Sequence, residues 1–105
     1  MVEVSPEILD IAKKYIVELE KNNFHIQRAI LFGSHVNGNP HPWSDIDVAV
    51  VSEDFVGDRF EDRRKIARIT LSVHSSISPK TYRPEDFTTE NFFVEEILEN
   101  GISIK

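Results

Sequence analysis

The chain of 105 residues contains no cysteine, which excludes a disulfide framework and a thiolate metal site and fits a reducing compartment. It has no apolar run near the roughly 20 residues that a membrane-spanning helix needs. The first residues include the acid Glu3 where a secretory signal would carry bases, and no apolar segment follows. These absences predict a cytoplasmic protein that does not enter a membrane.

Basic residues are also in short supply, with 12 Lys and Arg against 18 Asp and Glu. Proteins that bind nucleic acids usually present a basic face to the phosphates. The densest basic cluster here, Arg63 to Lys65 with Arg68, follows Glu61 and Asp62 on a predicted helix. Interleaved charges of this kind are typical of a solvated, ion-paired face. We therefore predict no direct binding of nucleic acid and an acidic surface that suits a basic protein partner.

The first half of the chain predicts one helix and two strands. Ser5 and Pro6 favour the start of a helix, and Asn22 favours its end. A continuously apolar run over 29–32 is typical of a buried strand, and a second strand is predicted over 45–51. The first strand stops at Gly33-Ser34, and the next ten residues, 35–44, are rich in Gly, Pro, Asn and His, a composition that predicts a loop.

The second half predicts a helix, a strand and a final helix. Asp58, with Glu61 three residues later, indicates the start of a helix that runs to about residue 71. That helix is expected to bury Phe60, Ile66, Ala67 and Leu71. Alternation over 73–78 predicts a third strand that ends at Pro79, with His74, Ser76 and Ser78 on one face.

Thr89 is predicted to cap the last helix, and Asn100 with Gly101 to end it. Ile102 and Ile104 could add a short final strand. This order of elements predicts an α/β or α+β fold in which a small mixed β-sheet is flanked by helices. The length suits one core, so residues 1–105 are expected to form a single domain.

Asp45 and Asp47 are candidate metal ligands. On a strand, both carboxylates project from one face, while Ile46 and Val48 project from the other. Two acids this close repel each other unless a positive charge lies between them, and oxygen ligands suit magnesium. Taken alone, an Asp-x-Asp pair is more typical of a solvated strand end than of a metal site.

The Gly33-Ser34 pair adds weight to the metal hypothesis. Gly33 ends the first strand, where a residue without a side chain lets a phosphate approach the backbone. Ser34 can offer its hydroxyl and N–H to phosphate oxygens. If the two strands are neighbours, phosphate donors and metal ligands lie together, which predicts a site for a metal-bound nucleoside triphosphate.

Gly33-Ser34, ten residues and then Asp45-Ile46-Asp47 resemble the signature of the minimal nucleotidyltransferase family, a branch of the DNA polymerase beta superfamily. The resemblance covers nearly the whole chain and extends to Gly38, Ser44, Arg83 to Phe87 and the ending Glu96 to Ile102. It implies a nucleotidyltransferase fold and the transfer of a nucleoside monophosphate, in particular AMP from ATP, to an acceptor hydroxyl.

The resemblance also implies roles and a partner. Asp45 and Asp47 would be the catalytic ligands of Mg²⁺, with Mn²⁺ as an alternative, and Gly33 and Ser34 would hold the triphosphate. Members of the family are typically encoded beside a HEPN-domain protein, often a ribonuclease toxin. Some silence this toxin by adding AMP to a tyrosine.

One departure from the family pattern concerns the third carboxylate, which superfamily members usually supply from a later strand. The interval from Arg63 to Pro84 contains no Asp or Glu. The resemblance implies that the third ligand would lie near His74 or Ser78, and a histidine ligand would favour manganese or zinc over magnesium. Glu53 or Asp54 are alternative substitutes from the end of the second strand.

The loop after Ser34 contains further candidates. Asn37 is neutral where relatives commonly have Arg or Lys, and Lys80 and Arg83 are candidates to supply the missing cation. His35 and His41 either contact phosphate or base or are simply polar loop residues. Trp43, in the same loop, either stacks on a nucleobase or covers the core.

Three functions fit these residues. The first is a metal-dependent nucleotidyltransferase that acts on a partner protein. The second is a non-catalytic module that neutralises its partner by binding, which the missing carboxylate favours. The third is a sensor that binds nucleotide without a stable partner. Candidate docking surfaces are the last helix and the region from Phe87 to Phe93, and a homodimer is left open.

Overall fold

The computed structural model describes residues 4–38 and 44–105. Its elements, in chain order, are α1 (Pro6–Lys21), β1 (Ile26–Phe32), α2 (Ser34–Asn37), β2 (Ile46–Ser52), α3 (Arg59–Val73), β3 (Ile77–Tyr82), a 3₁₀ turn (Pro84–Asp86), α4 (Phe92–Asn100) and β4 (Ile102–Ser103). The sheet order is β3-β2-β1-β4. β2 and β3 are parallel and the other pairs are antiparallel, so the predicted mixed sheet with flanking helices is confirmed.

The first helix begins and ends where the sequence predicts. Ser5 is its N-cap residue and Pro6 its first residue, although the Ser5 side chain makes no capping hydrogen bond. Asn22 follows the last helical residue and its N–H donates to Glu18 O. The proline, whose missing N–H costs nothing at this position, therefore sets the start of the helix.

The two faces of β2 are covered by different helices, as the alternation of its side chains predicts. Ile46, Val48 and Val50 pack with α1 and with Ile66 of α3 on one face. On the other face, Ala49 and Val51 join residues of β1 and α4, namely Ile30, Val94 and Ile97. Asp47 lies on this second face, because it alternates with Ile46 and Val48.

The predicted start of α3 is confirmed, since the Asp58 carboxylate accepts hydrogen bonds from Phe60 N at 3.0 Å and Glu61 N at 3.1 Å. The helix continues to Val73, two residues beyond the predicted end. Its predicted buried face is wrong except at Ile66. The residues that it buries are Asp62, Ile66 and Thr70, whereas Phe60, Ala67 and Leu71 are exposed.

Two buried polar contacts explain this rotation of α3. The Asp62 carboxylate accepts hydrogen bonds from Val56 N at 2.9 Å and Gly57 N at 3.0 Å. The Thr70 hydroxyl donates to Ile66 O at 2.9 Å and lies 2.7 Å from the Tyr15 hydroxyl. Since the Thr70 proton is used, Tyr15 donates to Thr70. A buried polar group that has a hydrogen-bond partner avoids a desolvation penalty. The helix therefore turns Asp62 and Thr70 inward and leaves its apolar stripe exposed.

The third strand differs from its prediction. α3 extends to Val73, the first residue of the alternating segment, His74 follows the helix, and β3 begins only at Ile77. Pro79 lies inside the strand rather than at its end. β3 is an edge strand, where a residue without an N–H can point its nitrogen away from the sheet.

The last helix is capped by Asn91, not by Thr89. Asn91 Oδ1 accepts hydrogen bonds from Phe93 N at 2.9 Å and Val94 N at 3.4 Å. The predicted end at Gly101 is confirmed, and the predicted short strand pairs with β1. Within residues 4–38 and 44–105, no helix combines the length and the apolar character that crossing a bilayer requires.

Candidate active site

The end of β1 and the start of β2 bring Gly33 and Asp47 together. Phe32 pairs with Asp47 in the antiparallel ladder, so the next residue, Gly33, lies beside the Asp47 side chain. Gly33 has a φ of +86°, and a Cβ atom there would come closer than 3.0 Å to Asp47 Oδ2. Only glycine combines this backbone conformation with space for the carboxylate.

Asp45 and Asp47 differ in their surroundings. Asp45 precedes the first residue of β2 and is exposed, whereas Asp47 lies within the strand and is half-buried. Burial raises the pKa of the Asp47 carboxyl, and the charge of Asp45 raises it further, while His35 and Lys80 lower it in part. The site therefore favours a nearby positive charge.

Ser34 begins a short helix rather than the predicted loop. α2 covers only Ser34–Asn37, with Val36 N and Asn37 N donating to Gly33 O, and Gly38 follows in the left-handed conformation. Asn37 is exposed, and His35 Nε2 lies 3.4 Å from Ser44 O. His41 and Trp43 lie outside the described residues, so their predicted roles stay predictions.

Ser78 is the third-ligand candidate that lies beside the aspartates. It pairs with Asp47 in the parallel ladder between β2 and β3 and shares its face of the sheet. The prediction that His74 faces the site from the same strand is wrong, because His74 precedes β3. His74 Nδ1 instead accepts a hydrogen bond from Ser76 N at 3.0 Å.

Glu53 and Asp54 cannot replace a third carboxylate, because they lie beyond the opposite end of β2. At a rise of ~3.3 Å per residue, six residues place Glu53 about 20 Å from Asp47. Gln27 Nε2 donates to Glu53 at 2.8 Å, and His25 N donates to Asp54 at 2.6 Å. Both acids therefore have local structural partners.

A cleft of about 830 Å³ opens over Asp47. Its lining residues come from β1, β2, β3, α4 and the start of α3: Phe32, Asp47, Asp58, Arg59, Phe60, Arg63, Ser78, Pro79, Lys80 and Phe93. Three cations thus face two carboxylates, and Asp58 is already engaged as the helix cap. Although the chain as a whole is acidic, the cleft suits an anion such as a polyphosphate.

The cations of the cleft were only partly foreseen from the sequence. Lys80 was one candidate, but Arg59 was missed and Arg63 was assigned to a solvated face. The spacing of Arg59 and Arg63 indicates that they lie together, because residues four apart on a helix share a face. Arg83, the other candidate, instead forms an ion pair with Asp86, with Nε at 2.7 Å from the carboxylate.

Two aromatic rings fix one side of the cleft. Phe32 and Phe93 meet edge to face, with ring centroids 5.9 Å apart. Lys80 Nζ lies 4.5 Å from the centroid of the Phe93 ring, a distance at which the ring face attracts the ammonium group. The contact holds Lys80 on the same side of the sheet as Asp47.

The donor atoms fit a hard cation. Asp45 and Asp47 offer only oxygen, and magnesium typically takes one or two carboxylates, with phosphate and water oxygens completing its shell. Within residues 4–38 and 44–105, no group of three or more acidic, His or Cys side chains is arranged to hold a metal. The protein would thus contribute two ligands and leave the others to a bound phosphate and water.

A mixed sheet with Gly-Ser placed beside Asp-x-Asp at neighbouring strand ends is the arrangement expected of a nucleotidyltransferase. The family model of the nucleotidyltransferase domain matches residues 9–104, and the chain belongs to this family. A protein of Methanocaldococcus jannaschii named "putative protein adenylyltransferase" is 28% identical over 102 residues, which cover 93% of this chain and 96% of that protein.

Solved structures show the same fold. A crystal structure of a "putative nucleotidyltransferase" from Sulfolobus solfataricus superimposes with a TM-score of 0.66 at 15% identity, covering 92% of this chain and 78% of that one. A crystal structure of a toxin-antitoxin with AMP-PNP has a TM-score of 0.60 at 25% identity, covering 89% of this chain and 72% of that one. The chain is therefore a nucleotidyltransferase domain with toxin-antitoxin structural neighbours.

Proposed function

We propose that this chain is a metal-dependent nucleotidyltransferase that transfers AMP from ATP to a hydroxyl of a partner protein, a HEPN-domain toxin. The observation that carries the proposal is the close approach of Gly33 to the Asp47 carboxylate, which lines a cleft together with three cations. The adenylyltransferase name of the archaeal relative supports transfer to protein, and the AMP-PNP complex supports an adenine nucleotide.

Asp45 and Asp47 would hold Mg²⁺, or Mn²⁺ in its place. A cation bound there supplies electrostatic stabilisation to the charge that builds on the phosphates during an in-line displacement. Gly33 leaves the backbone open to the triphosphate, and Ser34 contributes its hydroxyl at the start of α2. Arg59, Arg63 and Lys80 share the cleft with Asp47 and would neutralise the outer phosphates.

In the proposed reaction the acceptor oxygen forms a bond to the α-phosphorus of ATP. The bond from that phosphorus to the bridging oxygen breaks, and pyrophosphate leaves with the bonding electrons. The hydroxyl proton passes to water, which reaches the open cleft. Asp47 would hold the metal as a carboxylate and Lys80 would lie beside the phosphates, so the cleft would orient the reactants without a covalent intermediate on the chain.

The partner is inferred by two routes. The neighbours at this fold include a toxin-antitoxin, which supports a protein partner for this chain. The HEPN class rests on the family resemblance of the Gly-Ser and Asp-x-Asp motifs. A cytoplasmic location belongs to the same proposal, because the chain lacks cysteine and its proposed substrates are cytoplasmic.

The test is the intact mass of the HEPN-domain protein encoded beside this chain, after incubation with the chain, ATP and Mg²⁺. We expect a gain of one or more AMP units, and no gain with the Asp45→Asn/Asp47→Asn variant. Mn²⁺ and the other nucleoside triphosphates are run in parallel. An unchanged mass under all these conditions, with the two proteins forming a stable complex, would refute the transfer activity.

Ser78 favours a second function, a binding module without turnover. It stands beside Asp47 where a third carboxylate would lie, and a serine hydroxyl is a weaker metal ligand than a carboxylate. Such a module would neutralise its partner by covering it. The Asp45→Asn/Asp47→Asn variant separates the two functions, because a binding module keeps its inhibition of the partner when these carboxylates are neutralised.

A further inference from the structure

The apolar stripe of α3 points outward. Phe60, Ala67 and Leu71 follow a helical spacing and share a face, yet Phe60 is 77% exposed and Leu71 is 68% exposed. Among the described residues, these are two of the three most exposed large hydrophobic side chains. An exposed apolar stripe on an otherwise charged helix is typical of a surface that binds a partner.

The stripe lines a groove of about 390 Å³ between α3 and the edge strand β3. Its residues are Phe60, Arg63, Arg64, Ala67, Thr70, Leu71, Ile77 and Pro79. The walls are largely apolar, and Ile77 and Pro79 form the side that belongs to the sheet. A groove of this size accommodates a few side chains of a peptide segment.

The charges at the groove are positive. Arg64 reaches Glu61 only at 3.8 Å, and both side chains are largely solvent-exposed, so this pair is weak. Arg63 forms no salt bridge within the described part of the chain. The carboxylate of Asp62 is buried and bonded to backbone N–H groups, and therefore does not neutralise the groove.

The groove adjoins the cleft over Asp47. Phe60, Arg63 and Pro79 line both spaces, so a segment that lies along α3 can extend from one into the other. Because α3 begins at the cleft and runs away from it, the groove leads to the cleft that contains Asp47. This continuity connects the groove to the acceptor substrate rather than to a separate ligand.

The geometry points to an acceptor-docking function: the groove binds an acidic, apolar segment of the acceptor protein and presents that protein's hydroxyl to the adjoining cleft. This inference rests on the proposed nucleotidyl transfer to protein. Apolar side chains of the segment would cover Phe60 and Leu71, and its carboxylates would pair with Arg64, while Arg63 stays beside the phosphates. The apolar walls favour a peptide over a nucleic acid, whose phosphates would leave them uncovered.

The probe for a test is a fluorescein-labelled random copolymer of Glu and Tyr, with a Lys and Tyr copolymer as its charge-reversed counterpart. Fluorescence anisotropy should show binding of the acidic copolymer only. Leu71→Gln should weaken this binding about tenfold, the loss typical of one apolar anchor. Val17→Gln, which removes an exposed apolar side chain from α1, is the matched control and should leave it unchanged.

A second pair of variants isolates the charge. Ala67→Glu and Ala67→Gln add nearly the same bulk at an exposed helical position, so both should fold. Binding of the acidic copolymer should be several-fold weaker for the Glu variant than for the Gln variant. Equal binding by wild type and the Leu71→Gln and Ala67→Glu variants would overturn the docking inference.

Three further readouts decide between explanations. If the chain alone forms a dimer in sedimentation that Leu71→Gln disrupts, a second copy occupies the groove and the inference is wrong. Tighter binding of a single-stranded RNA oligomer, lost in Ala67→Glu, would also overturn it. ATP binding by the same variants should match wild type, so a groove that fails is distinguishable from a nucleotide site that fails.

Discussion

The two ends of β2 each present a pair of acids, and the surroundings of the pairs are opposite. At the start, Asp47 lies half-buried near Asp45, and its carboxyl pKa is raised by burial and by that neighbouring charge. Past the end, Asp54 accepts hydrogen bonds from His25, and its carboxyl pKa is lowered, chiefly by the backbone N–H of that residue. The acids past the end of β2 have hydrogen-bond partners within the chain, whereas Asp45 and Asp47 favour a bound cation.

The comparison teaches that residue type alone does not distinguish a site from a structural contact. Glu53 and Asp54 are paired with Gln27 and His25 across the β1–β2 ladder. At the other end, the Asp47 carboxylate forms no hydrogen bond with another residue of the described chain, and the cleft opens over it. Native-state repulsion of this kind is common where a protein binds a charged ligand.

The largest expected effect comes from two double variants, each of which neutralises the acids at one end of β2. Asp45→Asn/Asp47→Asn should reduce AMP transfer at least about 1,000-fold, because both proposed metal ligands lose their charge. Without metal, the same variant should be as stable as wild type or more so, because the repulsion is gone. Glu53→Gln/Asp54→Asn is the matched control.

Transfer is measured by partner mass and unfolding by urea denaturation for both double variants. The control should keep its transfer rate and lose some stability instead. If the control loses transfer as severely as the Asp45→Asn/Asp47→Asn variant, the two ends are not functionally different and the site assignment is wrong.

Gly33→Ala sharpens the comparison by moving only one carboxylate. The new methyl group would collide with Asp47 Oδ2, and a displacement of about 1 Å at a reacting site can reduce a rate about 100-fold. Gly38→Ala is the control for a positive φ, because Gly38 has a φ of +88° in the left-handed region, where a side chain costs about 1–2 kcal/mol.

Both glycine variants are compared by urea denaturation and by transfer to the partner. Both variants should lose stability, Gly33→Ala more than Gly38→Ala because its ψ of −156° is essentially restricted to glycine, and transfer should be lost only in Gly33→Ala. Transfer that survives in Gly33→Ala would show that Asp47 does not need its present position.

Ser78→Asp should strengthen the metal-binding end. It places a third carboxylate beside Asp47, in register across the parallel ladder, and should increase the affinity for Mg²⁺ about tenfold. Isothermal titration in the presence of a non-hydrolysable ATP analogue measures this. Ser78→Asn, which has the same shape without the charge, should not change the affinity. A lower affinity in the Asp variant would show that this part of the cleft does not face the metal.

The smallest effect concerns the other end of β2. The folded-state pKa of Asp54 lies below its ordinary value, so its contribution to stability is present above about pH 4 and is lost as the pH falls through the lowered pKa. Asp54→Asn should therefore reduce the loss of stability between about pH 4 and pH 2. Because the side chain is partly exposed, solvent screening keeps the effect small. The loss of structure on acidification is measured by circular dichroism. If wild type and Asp54→Asn lose structure alike as the pH falls, this prediction is wrong.

The part of the fold that could be predicted is the part that local rules control. Pro6 and Asn22 bound α1 because capping depends on near neighbours. The alternation of β2 places Asp47 and Val48 on opposite faces of the sheet, because side-chain direction in a strand has a period of two. The juxtaposition of Gly33 and Asp47 required only that two successive strands be neighbours.

The errors arose where distant contacts decide. The rotation of α3 depends on Asp62 meeting the backbone at Val56 and Gly57, and on Thr70 meeting Tyr15, a residue 55 positions away. No periodicity of apolar residues contains that information. Lys80 and Arg59 reach the cleft from different elements, so their proximity to Asp47 follows only from the assembled sheet.

The proline in β3 has a consequence for how copies of the chain can assemble. Sheets of two molecules merge when an edge strand offers free N–H groups to a neighbour. Along the outer edge of β3, Ile77 N already donates to His74 O at 3.3 Å, and Pro79 has no N–H to offer. The opposite edge, β4, is only two residues long. Continuous intermolecular sheets are thus disfavoured at both edges, which leaves the helical faces as the better surface for a homodimer.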